Sequence, residues 1–258
     1  MTGLEVRDLT VAYGAHLVLA GLSLEVPPGA FVGLVGPSGC GKSTLLRCLA
    51  GLVRPSGGQV AFTGAPDGAR PSVGILFQED ALLPWRTARE NVALGLRIQG
   101  MPARRAAAEA GAWLRRVGLA GFEEHYPAEL SGGMKKRVAL AQVLAPRPRV
   151  LLMDEPFANL DAIVRHLVEA DLLALAMEEG LTVLLVTHDL EEALLLSDRA
   201  AVMSAGPAAR IVRVYDVPFP RPRDLMAVRA EPEFGRLLRA VWEDLRRQVA
   251  RQGWGARV

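Results

Sequence analysis

A nine-residue stretch, 36–44 (GPSGCGKST), constrains the fold of this chain more than any other feature. It follows a short apolar run at 31–35 (FVGLV), which predicts a buried strand. It precedes LLRCLAG, which predicts a helix ending at Gly51. Strand, glycine-rich loop and helix in this order are the context that a phosphate-binding loop needs. We therefore expect a nucleotide site built on a buried sheet of an α/β protein.

The residue types in this loop match the chemistry of phosphate binding. Its three glycines let the backbone N–H groups converge on phosphate oxygens, and the start of the next helix adds the positive end of its dipole. Lys42 would reach the β- and γ-phosphates, and the Ser43 hydroxyl would ligate Mg²⁺. A glycine turn with an incidental lysine is the alternative, and the full pattern in this context disfavours it.

Length and composition bound the other possibilities. The 258 residues are enough for one large α/β domain or a domain with an inserted subdomain. The apolar runs are too short to span a bilayer, and the N-terminus lacks the apolar core of a signal peptide, so we expect a cytoplasmic protein. A net charge of +2 points to no particular partner. Cys40 and Cys48 lie in the loop and on the next helix, which disfavours a disulfide or a metal site.

Short strands flank the loop on both sides. The alternating stretch at 4–14 predicts a half-exposed strand that carries Tyr13 near its end, and 22–26 (LSLEV) predicts a second strand. Further strands are expected at 56–64 and at 73–77, which runs into Gln78, with a loop at 66–72 between them. Tyr13 could stack on an adenine ring, although a tyrosine in a strand more often serves packing.

From 81 to 145 the pattern becomes helical, with helices expected at 88–100 and 102–119. This interrupts an α/β pattern, so an inserted all-helical subdomain is the simplest interpretation. At 130–133 (LSGG), Ser131 is a good helix N-cap. Gly132 and Gly133 would allow close approach to the helix terminus, which favours a second anion site.

Polar side chains follow two buried strands of the second half. The strand at 150–153 (VLLM) delivers Asp154 and Glu155 at its carboxyl end, where open α/β sheets bind ligands. The strand at 182–186 (TVLLV) delivers His188 to the same edge, which favours a γ-phosphate contact. Solvated loop residues are the plainer interpretation for all three, and their position beside a phosphate loop disfavours it.

The C-terminal part predicts an amphipathic helix at 160–180, an edge hairpin at 199–217, a proline-rich passage at 218–224 and a last helix at 232–250. The apolar residues that this last helix is expected to place on one face are Phe234, Leu237, Leu238, Val241, Trp242, Leu245 and Val249. Packing of this face on the domain is favoured over binding to a membrane surface.

Six motifs occur along the chain in the order in which a known family has them: GPSGCGKST, FQED, LSGGMKKR, VLLMDE, ANLD and VTHD. Together they resemble the nucleotide-binding subunit of an ABC transporter over nearly the whole chain. The resemblance implies an α/β P-loop ATPase with a mostly parallel sheet and an N-terminal antiparallel β part. It implies one domain over 1–258, with an inserted helical subdomain at 81–145 and a C-terminal helical extension at 220–258.

The resemblance also assigns ATP and Mg²⁺ to particular residues. Tyr13 would stack on adenine, and Ser43, Gln78 and Asp154 would serve Mg²⁺, the last through water. The residues that would hold the phosphates are Gly36, Pro37, Ser38, Gly39, Cys40, Gly41, Lys42, Ser43 and Thr44.

Catalysis and dimerisation follow from the same resemblance. Glu155 would be the general base for the attacking water, and His188, Gln78 and Lys42 would complete the catalytic set. Asp161, with 158–160, would form a loop that contacts the other subunit. The residues that would close over ATP held by that subunit are Ser131, Gly132 and Gly133. The family therefore implies a two-fold homodimer that buries two ATP molecules.

A finer resemblance lies in 81–92 (ALLPWRTARENV) and 217–224 (VPFPRPRD). Both are similar to importers of nitrate, sulfonates, taurine or thiamine precursors. The implied partners are transmembrane permease subunits, whose coupling helix enters a groove near 78–85, and, indirectly, a periplasmic or extracellular solute-binding protein. The implied location is the cytoplasmic face of the cell membrane.

Some positions depart from the family pattern, and other classes compete. Lys136 stands where glutamine is common, Gln142 where arginine is common, and Asn159 replaces a small residue. A soluble ABC-type ATPase acting on nucleic acid or ribosomes is the alternative, but the chain has no second cassette and no basic, aromatic-rich stripe, so we expect no nucleic-acid partner. A P-loop kinase of another family is disfavoured by LSGGMKKR.

Overall fold

The computed structural model describes residues 1–64 and 71–251, so most of the predicted loop at 66–72 lies outside the described residues. The strands are β1 (Gly3–Tyr13), β2 (His16–Val26), β3 (Phe31–Val35), β4 (Gly57–Thr63), β5 (Val73–Leu76), β6 (Val150–Asp154), β7 (Thr182–Val186), β8 (Arg199–Met203) and β9 (Ile211–Asp216). The helices are α1 (Lys42–Ala50), α2 (Ala88–Ile98), α3 (Ala103–Arg116), α4 (Gly132–Leu144), α5 (Ala162–Glu178), α6 (Leu190–Leu196), α7 (Leu225–Ala230) and α8 (Pro232–Val249).

The central sheet has the strand order β5-β6-β7-β3-β8-β9. Its strands pair in parallel, except for β9, which pairs antiparallel with β8 at the edge. This confirms the expected mostly parallel sheet and the closing hairpin. The order also explains the predicted grouping of polar residues, because the carboxyl ends of β5, β6, β7 and β3 lie side by side.

Both faces of this sheet are buried, which is why its strands are continuous apolar runs. Alternate residues of β7 enter different cores: Val183 and Leu185 pack with the helices α2 to α6, while Leu184 and Val186 pack with α1 and the N-terminal strands. The sheet is therefore the middle layer of three.

A second sheet, with the order β2-β1-β4, is antiparallel and lies on the α1 side. Strand β2 begins at His16, six residues before the start expected from the sequence. The missed part contains Gly21 at φ 60°, and the β1–β2 register shifts three times. These irregularities break the alternation of apolar and polar residues by which a strand is recognised.

Residues 81–145, all of them described, contain helices and no strand, as the pattern predicts. Helix α2 begins with a capping box, because the side chain of Thr87 accepts from Glu90 N and the side chain of Glu90 accepts from Thr87 N. Trp113 of α3 is fully buried among these helices. The treatment of 81–145 as a separate subdomain stays a prediction.

Helix α8 packs on the domain through Phe234 and Val241, but one part of its predicted face is wrong. Trp242 is 56% exposed, while the polar Asp244 and Gln248 are buried. Asp244 tolerates burial because its Oδ2 accepts a hydrogen bond from the Tyr215 hydroxyl at 2.5 Å. Within the described residues, no helix has both the length and the apolarity to span a bilayer.

Candidate active site

The loop between β3 and α1 has the backbone of a phosphate cradle. Gly39 and Gly41 have φ of 73° and 107°, where a side chain would be strained. A Cβ on Gly41 would also lie 2.8 Å from Val18 Cγ1, so this glycine is needed for the close approach of β2. The loop therefore curls back on the start of α1, whose N–H groups are free to meet an anion.

Lys42 is held across this loop by backbone carbonyl groups. Its Nζ donates to the carbonyl oxygens of Gly36 at 2.8 Å and Pro37 at 3.1 Å, and the residue is only 8% exposed. An ammonium with two carbonyl partners keeps its charge at the centre of the loop at a tolerable desolvation cost. Cys40 beside it is buried, and burial raises the pKa of its thiol. The thiol is therefore neutral and adds no charge to the loop.

Two oxygen side chains meet next to the loop. Burial raises the pKa of Asp154 at the end of β6, and a hydrogen bond with the Ser43 side chain opposes that rise. A hydroxyl and a carboxylate are hard oxygen donors that Mg²⁺ prefers, and the amide oxygen of Gln78, which follows the adjacent β5, is a third donor of the same kind. The residues present therefore fit this metal when it arrives with a nucleotide.

Glu155 and His188 form a pair at the ends of β6 and β7. Glu155 Oε2 lies 3.0 Å from His188 Nδ1, and Glu155 has a φ of 46°, a strained value for a residue with a side chain. The strain turns the carboxylate out of the line of β6 towards the neighbouring strand end. A carboxylate oriented by an imidazole is a suitable base for a water molecule.

A polar network lies behind this pair, and sequence reasoning missed it. The Thr187 hydroxyl donates to Glu192 Oε2 at 2.6 Å, and Arg165 joins Leu160 O at 3.1 Å to Asp189 Oδ2 at 3.4 Å. Burial raises the pKa of Glu192 to about 8. No motif signals the Arg165–Asp189 contact, because it joins the start of α5 to the start of α6, 24 residues further along the chain.

Further predicted residues lie at the starts of α4 and α5. Ser131 caps α4 by accepting from Met134 N at 3.3 Å, and a Cβ on Gly133 would meet Val164 at the start of α5. Asp161 caps α5 by accepting from Val164 N at 3.0 Å. Ser131 and Gly132 are exposed, so the serine and glycine face is open to a partner.

Tyr13 lies at the tip of the β1–β2 hairpin, where it pairs with His16 and is half exposed. The same hairpin reaches the phosphate loop, since Val18 lies against Gly41. The Tyr13 side chain itself is half exposed, and its role in stacking stays a prediction.

Known proteins share this combination of loop, sheet edge and helices. The family model described as ABC transporter matches residues 19–158. The nitrate import ATP-binding protein NrtC of Synechococcus elongatus is 44% identical over 226 residues, 86% of this chain, and the chain spans about a third (34%) of that relative. The taurine import ATP-binding protein TauB of Chromobacterium violaceum is 42% identical over 261 residues, 98% of this chain and 100% of the relative.

The fold is shared with solved structures as well. A dimeric post-hydrolysis state of the ATP-binding cassette MJ0796, bound to ADP and Pi, superposes with a TM-score of 0.72 at 29% identity, covering 84% of this chain and 100% of that one. A second dimeric structure of MJ0796, described as a bacterial ABC transporter cassette, has a TM-score of 0.72 at 31% identity, with the same coverage. The chain therefore belongs to the ABC transporter family, and it is one of the ATPases of that family.

Proposed function

We propose that this chain is the ATP-hydrolysing subunit of an importer for a small anion and that it works as a two-fold homodimer on the cytoplasmic face of the membrane. The observation that carries the hydrolytic part is the Glu155–His188 pair, 3.0 Å apart, beside the loop that holds Lys42. A base, a histidine and a phosphate cradle then lie along one edge of the sheet.

The site residues divide the tasks of this reaction between them. The loop and Lys42 hold the phosphates of ATP in line, and Glu155 takes the proton of the attacking water. His188 fixes the Glu155 carboxylate through Nδ1 and directs its other ring nitrogen towards the γ-phosphate. Mg²⁺, held by Ser43, Asp154 and Gln78, would neutralise charge on the phosphate oxygens. Positioning and charge neutralisation account for most of the rate, since phosphoryl transfer needs little covalent chemistry.

Glu155→Gln tests the assignment of the base. The variant keeps the shape of the side chain, so we expect ATP binding to persist while hydrolysis falls by about 10²–10⁴-fold. The measurement is phosphate release and ATP affinity, with Glu178→Gln, an exposed glutamate at the far end of α5, as the control. Near wild-type turnover of Glu155→Gln would remove Glu155 as the base.

The dimer is proposed because each chain carries two complementary half-sites. The phosphate loop offers the cradle, and the exposed N-terminus of α4 at Ser131 offers unsatisfied donors for the same anion. Two chains related by a two-fold axis would enclose two ATP molecules. ATP would then hold the subunits together, and hydrolysis would release them.

A groove beside α2 supports the proposal of a membrane partner. Trp85 is 71% exposed, and a groove of about 370 Å³ runs from it along α2, past Arg89, to Arg97. Exposed tryptophan and arginine are the residues that interfaces favour. We expect a short cytoplasmic helix of a permease subunit to lie in this groove.

A tagged pull-down from native membranes tests the transport assignment. We expect a multi-span protein to co-purify with the wild type and to be lost or weakened with Trp85→Ala, while ATP binding persists. Trp242→Ala, another exposed tryptophan, is the matched control and should retain the partner. Recovery from the soluble fraction alone, or with ribosomes or DNA, would contradict the importer proposal.

The cargo is proposed from the relatives, whose names give nitrate, taurine and bicarbonate import. These cargoes are small and anionic or carry an anionic group. Uptake of the three labelled compounds by cells with and without the chain tests the proposal, since loss of uptake for one of them would name the cargo.

A further inference from the structure

Lys136 is a buried lysine on α4 that the proposed hydrolysis does not use. It is 2% exposed, and its Nζ lies 2.6 Å from Asp80 Oδ1. The same Nζ donates to the Gln78 carbonyl oxygen at 3.3 Å. A buried ammonium is costly unless it is paired, so these contacts hold the lysine and the 78–80 segment together.

The segment that Lys136 holds belongs to the candidate metal site. Gln78 follows β5, next to the strand that ends in Asp154. Lys136 contacts the backbone of Gln78, whose side chain stays exposed at the sheet edge. The contact therefore fixes the backbone at the Gln78 carbonyl without occupying the side-chain amide.

Lys136 also connects that segment to the other half-site. It lies five residues after Ser131, on the helix that this serine caps. One ammonium thus bridges the end of β5 and α4. A glutamine at 136 would be shorter and uncharged and would leave the Asp80 carboxylate without its cation.

We propose that Lys136 and Asp80 are a positioning pair that ties the backbone of Gln78 to α4 and so sets the reach of the Gln78 amide towards Mg²⁺. The inference rests on the proposed role of Gln78 at the metal. It makes the position of α4 and the metal affinity of the nucleotide site dependent on one contact.

Arg137 supplies a matched control for a merely structural role. It is the next residue on α4, and its guanidinium lies 2.7 Å from Asp171 of α5, with a further hydrogen bond to Val117 O at 2.8 Å. It therefore ties the same helix to its surroundings through a similar ion pair, at a place away from Gln78.

The experiment measures ATP affinity by calorimetry with Mg²⁺ and with EDTA, in the Glu155→Gln background so that ATP is not consumed. The ratio of the two dissociation constants is the metal-dependent gain. We expect Lys136→Gln and Asp80→Asn each to reduce this gain about tenfold, as outer-shell partners of a metal do. Lys136→Arg, which keeps the cation, should restore most of it, and Arg137→Gln should leave it unchanged.

The double variant Asp80→Asn/Lys136→Gln guards against unfolding, because it leaves no unpaired buried charge. If the two residues act as one pair, it should lose no more of the gain than either single variant. An additive loss would overturn the inference, as would equal losses in Lys136→Gln and Arg137→Gln.

Gln78→Ala separates this inference from the proposed function. If Gln78→Ala loses the gain while Lys136→Gln keeps it, the positioning pair is overturned and the role of Gln78 stands. If Gln78→Ala keeps the gain, Gln78 is not a metal residue, and the inference falls with that part of the proposed function.

Discussion

The two regions of this chain that are proposed to bind the phosphates of ATP, the phosphate loop and the start of α4, differ in how much of their geometry they determine themselves. In the phosphate loop, the position of the Lys42 ammonium is set by the loop itself, because its Nζ donates to the carbonyl oxygens of Gly36 and Pro37. At the start of α4, the Ser131 side chain accepts from Met134 N at 3.3 Å and its carbonyl oxygen accepts from Lys135 N at 2.9 Å, but the residue itself is exposed.

The difference indicates a division of labour between the regions. A preorganised cradle can bind nucleotide in the monomer, since little ordering remains to be done when the ligand arrives. An exposed helix terminus with unsatisfied N–H groups gains most when a partner brings an anion to it. Of the four predictions below, three test this difference and the second tests the support of the strand ends beside the loop; they begin with the largest expected effect.

Lys42→Ala should abolish most of the function of the phosphate loop. We expect hydrolysis to fall by about 10²–10³-fold, the usual cost of removing one preorganised donor from a developing charge. Lys135→Ala, which removes a lysine close to Ser131, should change the rate little by comparison. Phosphate release by both variants measures the contrast, and comparable losses would contradict a monomer site built on the loop alone.

Glu192→Gln tests how the strand ends beside the loop are supported. The pKa of Glu192 rises from 4.5 to about 8, mainly because the carboxyl is buried; the Thr187 hydrogen bond and Arg165 oppose the rise, while Glu169 and Asp189 add to it. The native state therefore keeps a proton that the unfolded chain loses, and the free energy of unfolding falls as pH rises from 4.5 to 8. At about 1.4 kcal/mol per pH unit, the fall is on the order of 4 kcal/mol.

Urea unfolding between pH 5 and 8 measures this contribution. Glutamine keeps an acceptor for the Thr187 hydroxyl and has no proton to lose, so the difference in stability between variant and wild type should grow in favour of the variant as pH rises. A difference that is constant with pH would show that Glu192 does not titrate in this window.

How much of the fold could be predicted from the sequence depended on how regular each element is. β3, β6 and β7 were evident because a strand buried on both faces is a continuous apolar run. The first part of β2 was missed because Gly21 and the irregular β1–β2 register break the alternation. The prediction that Trp242 lies on the packed face of α8 was wrong. The helical period does not show that a hydrogen bond from Tyr215 and an ion pair with Arg213 bury Asp244 instead.

For the candidate site, sequence motifs predicted which residues take part, and the strand order of the structure shows which of their strands are neighbours. The strand ends that carry Gln78, Asp154, Glu155 and His188 adjoin because β5, β6, β7 and β3 are consecutive in the sheet. The partners of Lys136 and the Arg165 network could not be predicted, since no local pattern encodes a contact between distant helices and loops.

Ser131→Arg should impair the contact of a partner with the start of α4 without affecting the phosphate loop. A long cationic side chain at the exposed start of α4 would obstruct a partner and oppose the helix dipole. We expect ATP-dependent dimerisation of the Glu155→Gln protein to weaken at least about tenfold, the range of typical interface losses, while monomer affinity for ATP persists. Light scattering with and without ATP measures dimerisation, and an equal loss of nucleotide affinity would contradict a role of Ser131 in the partner subunit.

The smallest expected effect compares two helix caps. Asp161 accepts from Val164 N at 3.0 Å, whereas Ser131 accepts from Met134 N at 3.3 Å. Asp161→Ala should therefore lower the free energy of unfolding by about 1 kcal/mol, and Ser131→Ala by less. Asp161→Asn keeps the cap and should be close to wild type in urea unfolding. If Ser131→Ala lowers the free energy of unfolding as much as Asp161→Ala, the Ser131 side chain is bound to its own helix as firmly as that of Asp161. The start of α4 would then be less available to a second subunit than its exposure indicates.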